Sequence, residues 1–453
     1  MRKLFKAAAI FVLCVLCALS AVACNNQRTL PEEPVDVNLD QNVEAHLIAV
    51  VDVDSFEKTL LESVANGFKT KYPNVSIEVV QNSDAISYIR SGDQVDILQV
   101  IGENVSFFAS QNILAELDPY MQAQGFDSTK YFTSMIDLGK DTVSGKQYMM
   151  PRDYSRIVLY YNKDLFDALK VDYPQDTQEN PWTWDAFLAK CAELKTAMAA
   201  DSAYSNYIPV EGSMSYDILN WGIVSSYGVE GLLKDDFTLV DDTSTTYQNW
   251  KKGMELASEV IEKGYSLNSN QYSSSHFQTG VAAMAFSASP SASSYNQGKI
   301  NYDIISFPAI GNDPKAPSGT SGYAISSQSA NKNVSWAFLN YLMSEEGQKI
   351  MTDGTGLVPV LTSLANDESA DWRSMKNGKN NAVNVSALLS YSERDVIADW
   401  FGNLPALARS AYKGFYNTFL KNVCDGNKSF AQGYTVLAKS ITDYKKNYPE
   451  YFV

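Results

Sequence analysis

The segment that decides the fold occupies residues 145–194 and reads GKQYMMPRDYSRIVLYYNKDLFDALKVDYPQDTQENPWTWDAFLAKCAEL. Pro151 fixes its own φ angle and favours an extended residue before it, so the chain is stiff where the polar joint of residues 152–155 begins. Residues 157–161, Ile-Val-Leu-Tyr-Tyr, are β-branched and aromatic without alternation, which is typical of a strand buried on both faces. A short helix follows, and Thr183 or Asp185 can cap another. The pattern indicates α/β structure around a stiff joint.

Three motifs of this segment together resemble the family 1 extracellular solute-binding proteins of ABC importers, of the sugar-binding, maltose-binding-protein-like type. They are Gly-x-x-Tyr-x-x-Pro at residues 145–151, Tyr-Asn-Lys-Asp-x-Phe at residues 161–166 and Pro-x-Thr-Trp-Asp at residues 181–185. Each motif is weak alone, and their order and spacing carry the resemblance. In that family the joint at residues 152–155 is the first hinge between two lobes. A stiff strand-to-strand connection in another α/β domain is the alternative.

Further motifs of the same family occur in order up to about residue 360. They include Phe-x-x-x-Tyr-Pro at residues 68–73, Phe-x-x-Gly-x-Ala-Ala-Met at residues 277–284 and Gly-x-x-Pro at residues 356–359. The strand, helix and strand read from residues 47–101 predict parallel pairing with helices on both faces.

The resemblance implies a two-lobe α/β fold of the type II periplasmic-binding-protein class, each lobe a mostly parallel sheet flanked by helices. Lobe 1 would comprise residues 45–152 and 315–352, and lobe 2 residues 153–314 and 353–453. Two further hinge segments are expected near residues 309–321 and 350–358.

The first 44 residues predict export and anchoring. Residues 1–23 carry three basic side chains before a long apolar run that ends in small residues, as in a secretory signal peptide. Ala21-Val22-Ala23-Cys24 resembles a lipobox, with Cys24 as the lipidated first residue of the mature chain. Residues 24–44 are polar and proline-containing and predict a flexible tether. The protein would be exported and lipid-anchored to the outer face of the cell membrane.

Composition narrows the possible partners. The formal net charge is −16, and removal of the three basic residues of the signal would make it −19. An acidic chain is a poor match for nucleic acid or anionic membrane surfaces. Of the five cysteines, Cys191 and Cys424 remain after residue 24. Two cysteines so far apart make no disulfide framework, and whether they pair stays open.

The residues give little basis for catalysis. Only two histidines occur, His46 and His276, in different predicted elements. Zinc, calcium and nucleotide motifs are absent from the sequence, so no cofactor, metal or catalytic residue is predicted. Carboxylate pairs at glycosidase spacing are inevitable among 52 acidic residues and carry no weight alone.

A sugar-binding cleft needs aromatic faces for the pyranose ring and planar polar groups for its hydroxyls. The resemblance and the loops after predicted strands place both kinds of residue between the lobes. The predicted ligand-binding residues are Asp54, Gln99, Glu103, Asn104, Asp153, Tyr154, Glu211, Trp221, Ser287, Tyr295, Gly322 and Tyr323. The group after the third strand is the best founded, because α/β sheets bind ligands at the carboxyl ends of their strands.

Several of these residues have a structural alternative. Asp54 can simply cap a helix, Arg152 and Asp153 can form a hinge ion pair, and Trp221 on a helix can be core. Tyr295 and Tyr323 can serve lobe packing.

The expected function is capture of a carbohydrate, in the first place an oligosaccharide, by hinge closure and its delivery to an ABC permease by a monomer. Alternatives are a secreted glycan hydrolase with a carboxylate pair and a surface adhesin or sensor subunit without a transporter. Another is a binding protein for a peptide, polyamine or metal chelate.

Overall fold

The computed structural model describes residues 34–452 apart from residues 83, 178, 272–274 and 403. The signal peptide and the lipidation site Cys24 therefore lie outside the described residues. The strands of the described part are β1 (Ala45–Val51), β2 (Val75–Gln81), β3 (Ile97–Ile101), β4 (Met150–Pro151), β5 (Ile157–Asn162), β6 (Ile208–Glu211), β7 (Ala282–Ala288), β8 (Tyr302–Ile305), β9 (Ala316–Ser318), β10 (Ser321–Ile325) and β11 (Asp395–Ile397).

Helices surround these strands. They are α1 (Ser55–Phe68), α2 (Ala85–Arg90), α3 (Val105–Ser110), α4 (Asp118–Gln124), α5 (Thr133–Asp137), α6 (Lys163–Leu169), α7 (Trp184–Ala200), α8 (Asp217–Ser225), α9 (Thr245–Glu262), α10 (Ser291–Gln297), α11 (Lys332–Leu342), α12 (Glu345–Thr352), α13 (Thr362–Asn366), α14 (Ala406–Cys424) and α15 (Phe430–Asn447). In the described part of the chain, no helix combines the length and apolarity needed to span a membrane.

A five-stranded sheet organises the first lobe, which we define as this sheet with α1–α5, α11 and α12. Its order is β2-β1-β3-β10-β4. β1 pairs in parallel with β2 and β3, as the strand and helix order predicts, and β10 runs antiparallel to β3 and β4. α1 begins at Asp54, whose side chain accepts a hydrogen bond from the amide of Phe56, and it buries Leu60, Leu61 and Phe68 against the sheet.

A four-stranded sheet of order β6-β7-β5-β8 organises the second lobe, which we define as this sheet with α6–α10, α14 and α15. All six residues of β5 are buried. Val158 and Tyr160 join one core, and Leu159 and Tyr161 join the other, so the strand is buried on both faces as predicted. The prediction of a mostly parallel sheet is wrong here, because β5 runs antiparallel to both β7 and β8. An apolar run buried on both faces does not report strand direction.

The chain crosses between the sheets near residues 152–156 and returns near residues 306–320. The two crossings lie side by side: the Arg152 amide donates to the Ser321 carbonyl at 3.0 Å, and the Gly319 amide donates to the Ser155 carbonyl at 3.1 Å. β9 and β11 form a small parallel pair beside them.

After α12 the chain touches the first crossing segment at Val358, whose carbonyl accepts from the Tyr154 amide at 2.8 Å. The next residues return to the first lobe, where the Thr362 hydroxyl donates to the Lys130 carbonyl at 2.8 Å. Asn377 then donates to the Tyr302 carbonyl of the second lobe at 2.8 Å. We therefore place the last crossing between residues 362 and 377 rather than at residue 353.

Residues 34–44 pack on the first lobe instead of extending the predicted tether to residue 44. Val37, Leu39 and Val43 lie against its core. The Asn333 side chain donates to the Pro34 carbonyl at 2.9 Å and accepts from the Asp36 amide at 3.0 Å. Burial of these three apolar side chains stabilises the packed arrangement. The mostly polar composition of the segment had predicted a tether.

Cys191 and Cys424 are free and buried, each in the core of the second lobe. Burial raises the pKa of the Cys191 thiol. α14 and α15 complete that core: the Trp250 ring of α9 lies 4.8 Å from Phe419 and 5.1 Å from Phe430.

Candidate ligand-binding cleft

A cavity of about 660 Å³ lies between the two lobes and beside the two crossing segments. Both lobes contribute to its walls, and residues of the crossings, among them Arg152, Ser155 and Ser318 to Ser321, form its floor. This volume is within the range typical of small-molecule sites.

The first-lobe wall begins where β3 ends. Glu103 and Asn104 follow the carboxyl end of that strand, and both line the cavity. Phe107 and Phe108 of α3 add apolar surface, with ring centroids 5.9 Å apart. Glu103 and Asn104 were predicted to bind ligand because loops that follow parallel strands meet at one edge of the sheet, and this wall has that origin.

The second-lobe wall is the more aromatic one. Tyr216, at the start of α8, lines the cavity with 47% of its surface exposed. Trp400 and Phe401 line it from the segment before α14 and are otherwise buried. The Trp400 ring stacks on Tyr416 at 5.5 Å. Its rigid support makes it a fixed part of the wall.

A buried ionic cluster, which we call the hinge cluster, extends beneath the floor from Arg152 and Thr320, which themselves line the cavity. The Arg152 guanidinium contacts the Glu57 carboxylate at 2.5 Å and the Asp153 carboxylate at 3.0 Å. Tyr323 donates to Glu57 at 2.5 Å, and Thr320 donates to Asp153 at 2.5 Å. Burial alone would lower the pKa of Arg152, but the Asp153 and Glu57 carboxylates raise it overall. The cluster joins α1 to both crossing segments.

A second ionic group holds the other side of the joint. The Arg156 guanidinium lies 3.2 Å from the Asp395 carboxylate, and the Tyr154 hydroxyl donates to Asp395 at 2.5 Å. Burial raises the pKa of Asp395, while Arg156 opposes the shift. Within residues 152–156, Arg152 and Asp153 thus belong to the hinge cluster, whereas Tyr154 and Arg156 both bind Asp395.

Each charged side chain that lines the cavity has a partner of opposite charge. Arg152 has the hinge cluster, and the remaining pairs are Glu103 with Lys413, Asp137 with Lys140 and Asp399 with Arg409. Burial raises the pKa of Asp399, and Arg409 opposes this shift. The cleft therefore presents internally compensated charge to a ligand.

Of the twelve predicted ligand-binding residues, Glu103 and Asn104 line the cavity. Gln99 lies just behind the wall: its side chain accepts from the Asp52 amide at 2.8 Å and reaches the Ser321 hydroxyl of the floor at 3.5 Å. Asp54 caps α1, which was its structural alternative.

The predicted residues of the joint and return strand hold the hinge instead of lining the cavity. Asp153 and Tyr323 are fully buried in the hinge cluster, and Tyr154 is bound to Asp395. Gly322 permits close strand contact, because a Cβ atom there would lie 2.1 Å from the Met150 carbonyl oxygen. We therefore remove these four residues from the candidate contacts.

The predicted second-lobe residues lie behind the cavity wall. Glu211 is buried and accepts from the Phe277 amide at 2.6 Å. Trp221 is core and supports Trp400 from behind at 6.1 Å between ring centroids. Tyr295 packs on Tyr160 at 5.0 Å.

Ser287, in β7, lies 2.6 Å from the Ser291 hydroxyl, while Ala288 and Pro290 line the cavity in its place. These second-lobe residues were predicted from the resemblance. Neighbouring positions of a strand or helix point to opposite sides, and these side chains lie on the side that faces the interior.

The lining residues of the C-terminal region were not among the predicted ligand-binding residues. They are Ile397, Ala398, Asp399, Trp400, Phe401, Arg409, Ser410 and Lys413. An available signal was the run Asp399-Trp400-Phe401-Gly402 ahead of Pro405, which puts two aromatic side chains in a turn before a helix.

Comparison with known proteins agrees with this architecture. The family model described as bacterial extracellular solute-binding protein matches residues 54–349. A maltooligosaccharide ABC transporter solute-binding lipoprotein of Streptococcus pneumoniae is 25% identical over 412 residues, 86% of each chain. A galactooligosaccharide-binding protein of Bacillus subtilis is 24% identical, covering 81% of this chain and 83% of the relative.

Among solved structures, an ABC substrate-binding protein from Listeria monocytogenes in complex with cycloalternan has a TM-score of 0.69 at 18% identity. The match covers 90% of this chain and 99% of that protein. It confirms the predicted two-lobe α/β fold.

Proposed function

This chain belongs to the bacterial extracellular solute-binding protein family, and we propose that it captures an oligosaccharide between its lobes for an ABC importer. The cleft carries the proposal: both lobes line one cavity, and crossing segments connect them along its floor. Rotation about these segments would bury a ligand from two sides. A ligand stabilises the closed arrangement through contacts made there and not in the open one.

The chemistry of the walls supports a neutral carbohydrate. Tyr216, Trp400 and Phe401 offer aromatic surface, and Asn104, Asp399 and Arg409 offer planar polar groups. A polyamine or a charged peptide would need an uncompensated opposite charge, whereas the cleft cations and carboxylates are already paired. The names of the two relatives, which refer to maltooligosaccharide and galactooligosaccharide, agree with this choice.

We further propose that the protein binds without chemical turnover. A glycosidase needs two lining carboxyl groups with separate roles, one of them delivering a proton. Each of the lining carboxylates Glu103, Asp137 and Asp399 has a cationic partner within 3.5 Å. Asp399 is the lining carboxyl group whose pKa burial raises, so Asp399→Asn is the variant in which cleavage would be lost if turnover occurred.

Export, lipid attachment at Cys24, a monomeric state and delivery to a permease complete the proposal. Support comes from the signal and lipobox patterns of residues 1–24 and from the relative named as a lipoprotein. Incorporation of labelled palmitate that is lost in Cys24→Ala is the expected result for lipid attachment. Equal incorporation in that variant would contradict it.

The functional test is thermal unfolding of residues 25–453 against maltotriose, a galactotriose, a peptide and spermidine. A ligand at about a hundred times its dissociation constant adds about 2.7 kcal/mol of stability. In a protein of this size that raises the unfolding midpoint by several degrees. We expect a shift with a neutral oligosaccharide that is recovered intact.

Three results would overturn parts of the proposal. Recovery of cleaved sugar would establish turnover. A shift with the peptide or spermidine alone would replace the ligand class. The absence of any shift across a wide panel of oligosaccharides would remove carbohydrate as the ligand.

A further inference from the structure

Two cations on one face of α14 line the cavity one helical turn apart. Arg409 and Lys413 are spaced i and i+4, so their side chains project on the same side. Each contacts both lobes. Their carboxylate partners differ from those of the hinge cluster.

Lys413 links two carboxylates from opposite walls. Its ammonium lies 2.5 Å from the Glu103 carboxylate of the first lobe and 3.6 Å from the Asp217 carboxylate of the second lobe. Asp217 is 6% exposed, whereas Lys413 and Glu103 are 35% and 26% exposed. Burial raises the pKa of Asp217, Lys413 opposes the shift and Glu103 adds to it.

Arg409 spans the cleft in the same way. Its guanidinium donates to the Thr142 hydroxyl of the first lobe at 2.7 Å and lies 3.5 Å from the Asp399 carboxylate of the second lobe. It also donates to the Leu404 carbonyl at 3.0 Å, which fixes the side chain to the second lobe. Separation of the lobes would break the contacts to Glu103 and Thr142 and leave those to Asp217, Asp399 and Leu404.

We propose that Arg409 and Lys413 form a latch that stabilises the closed arrangement through protein contacts alone, and that Lys413 positions Glu103 at the cleft. Without Lys413, Glu103 and Asp217 would approach each other across the cleft as uncompensated carboxylates. The latch therefore favours closure in two ways: it adds attraction and removes repulsion. Its effect on affinity rests on the proposed oligosaccharide-binding function, because closure would be coupled to binding.

The test compares Lys413→Met with Lys421→Met, which changes an exposed lysine two turns further along α14. Spin labels at Val143→Cys and Val436→Cys, 66% and 49% exposed, report the distance between the lobes by electron–electron resonance. In residues 25–453 the native thiols are those of Cys191 and Cys424, which are buried and stay unlabelled. We expect longer distances in Lys413→Met without ligand and an unchanged distribution in Lys421→Met.

Affinity for maltotriose supplies the second readout. Lys413→Met should weaken binding about two- to fivefold, the effect of a partly exposed ion pair. A double-mutant cycle with Glu103→Gln separates the pair from other roles of Lys413. The charge exchange Glu103→Lys with Lys413→Glu places a carboxylate at position 413 beside Asp217, so we expect it to leave the cleft more open than in the parent.

The distance measurement is independent of the ligand, so it separates failure of the latch from failure of the proposed function. Equal ligand-free distances in Lys413→Met, Glu103→Gln and Lys421→Met would overturn the latch, even if maltotriose binds. Longer distances in the first two variants would support it, even if maltotriose does not bind. Near-ultraviolet circular dichroism of each variant checks that the fold is intact.

Discussion

The hinge cluster and the latch are built from the same chemistry and differ in burial. In the hinge cluster the side chains of Arg152, Glu57 and Asp153 are 9%, 2% and 0% exposed. In the latch, Lys413 and Glu103 keep 35% and 26% of their surface in contact with solvent. Breaking a buried pair leaves an uncompensated charge in the core, whereas water can solvate a partly exposed pair such as Lys413 and Glu103 when it separates.

The difference in burial indicates a difference in role. We interpret the hinge cluster as a permanent connection between α1 and the crossing segments. The latch can open and close at modest cost, which suits contacts that form only when the lobes approach each other. The following predictions are ordered from the largest expected effect to the smallest.

Arg152→Met should cause the largest loss. It leaves the Glu57 and Asp153 carboxylates buried without their cation, which costs about 3–5 kcal/mol of unfolding free energy. Urea unfolding measures the change, and Arg394→Met, which removes a partly exposed cation, is the control. A loss below about 1 kcal/mol would mean that the cluster stabilises the fold no more than a surface ion pair does, and would contradict its role as a permanent connection.

Tyr154→Phe should have an intermediate effect on stability. It removes the hydroxyl that donates to the buried Asp395 carboxylate and costs about 1–3 kcal/mol. Tyr391→Phe, at a residue with 37% exposure, is the matched control and should stay near the parent in the same urea experiment. Equal midpoints for the two variants would show that the Asp395 group does not hold the joint.

Tyr216→Ala should act on binding rather than on stability. Its ring is 47% exposed in the cleft, so its removal costs little core packing. Loss of an aromatic contact should weaken oligosaccharide binding about three- to tenfold in calorimetry. Tyr448→Ala, which removes a comparably exposed tyrosine outside the cavity, should leave affinity unchanged. Unchanged affinity in Tyr216→Ala would remove this residue from the ligand site.

Glu211→Gln should have the smallest effect, on pH dependence. Burial raises the pKa of Glu211 above its ordinary value. The folded state thus retains a proton that the unfolded state has lost, and this group reduces stability as pH rises through that interval. Glu211→Gln removes this negative contribution, so the slope of unfolding free energy against pH, measured between about pH 4 and 7, should be more positive in the variant than in the parent. An identical slope would contradict the shift. Glu255→Gln on the exposed face of α9 is the control.

The sequence predicted the parts of the fold that depend on local rules. The run at residues 157–161 is a strand buried on both faces, and Asp54 and Thr183 begin helices. Glu103 and Asn104 reach the cavity because they follow a parallel strand.

The remaining wall depends on contacts distant in sequence. Trp400 is held by Tyr416 and Trp221, and nothing in its own neighbourhood specifies that it reaches a cleft. Conversely, Glu211 and Tyr295 have side chains suited to a ligand but point into the core. Residue type alone cannot distinguish a side chain that lines the cleft from one that points into the core. In both cases the residue is polar or aromatic and lies near the end of a strand or helix.

Hydrogen exchange with and without saturating oligosaccharide would test the contrast between hinge and cleft most directly. We predict added protection on both walls, at residues 101–108 and 397–413. The crossing segments at residues 150–156 and 320–325 should be protected already and change little. Protection confined to one lobe, or appearing mainly in the crossing segments, would contradict closure of two lobes about a permanent hinge.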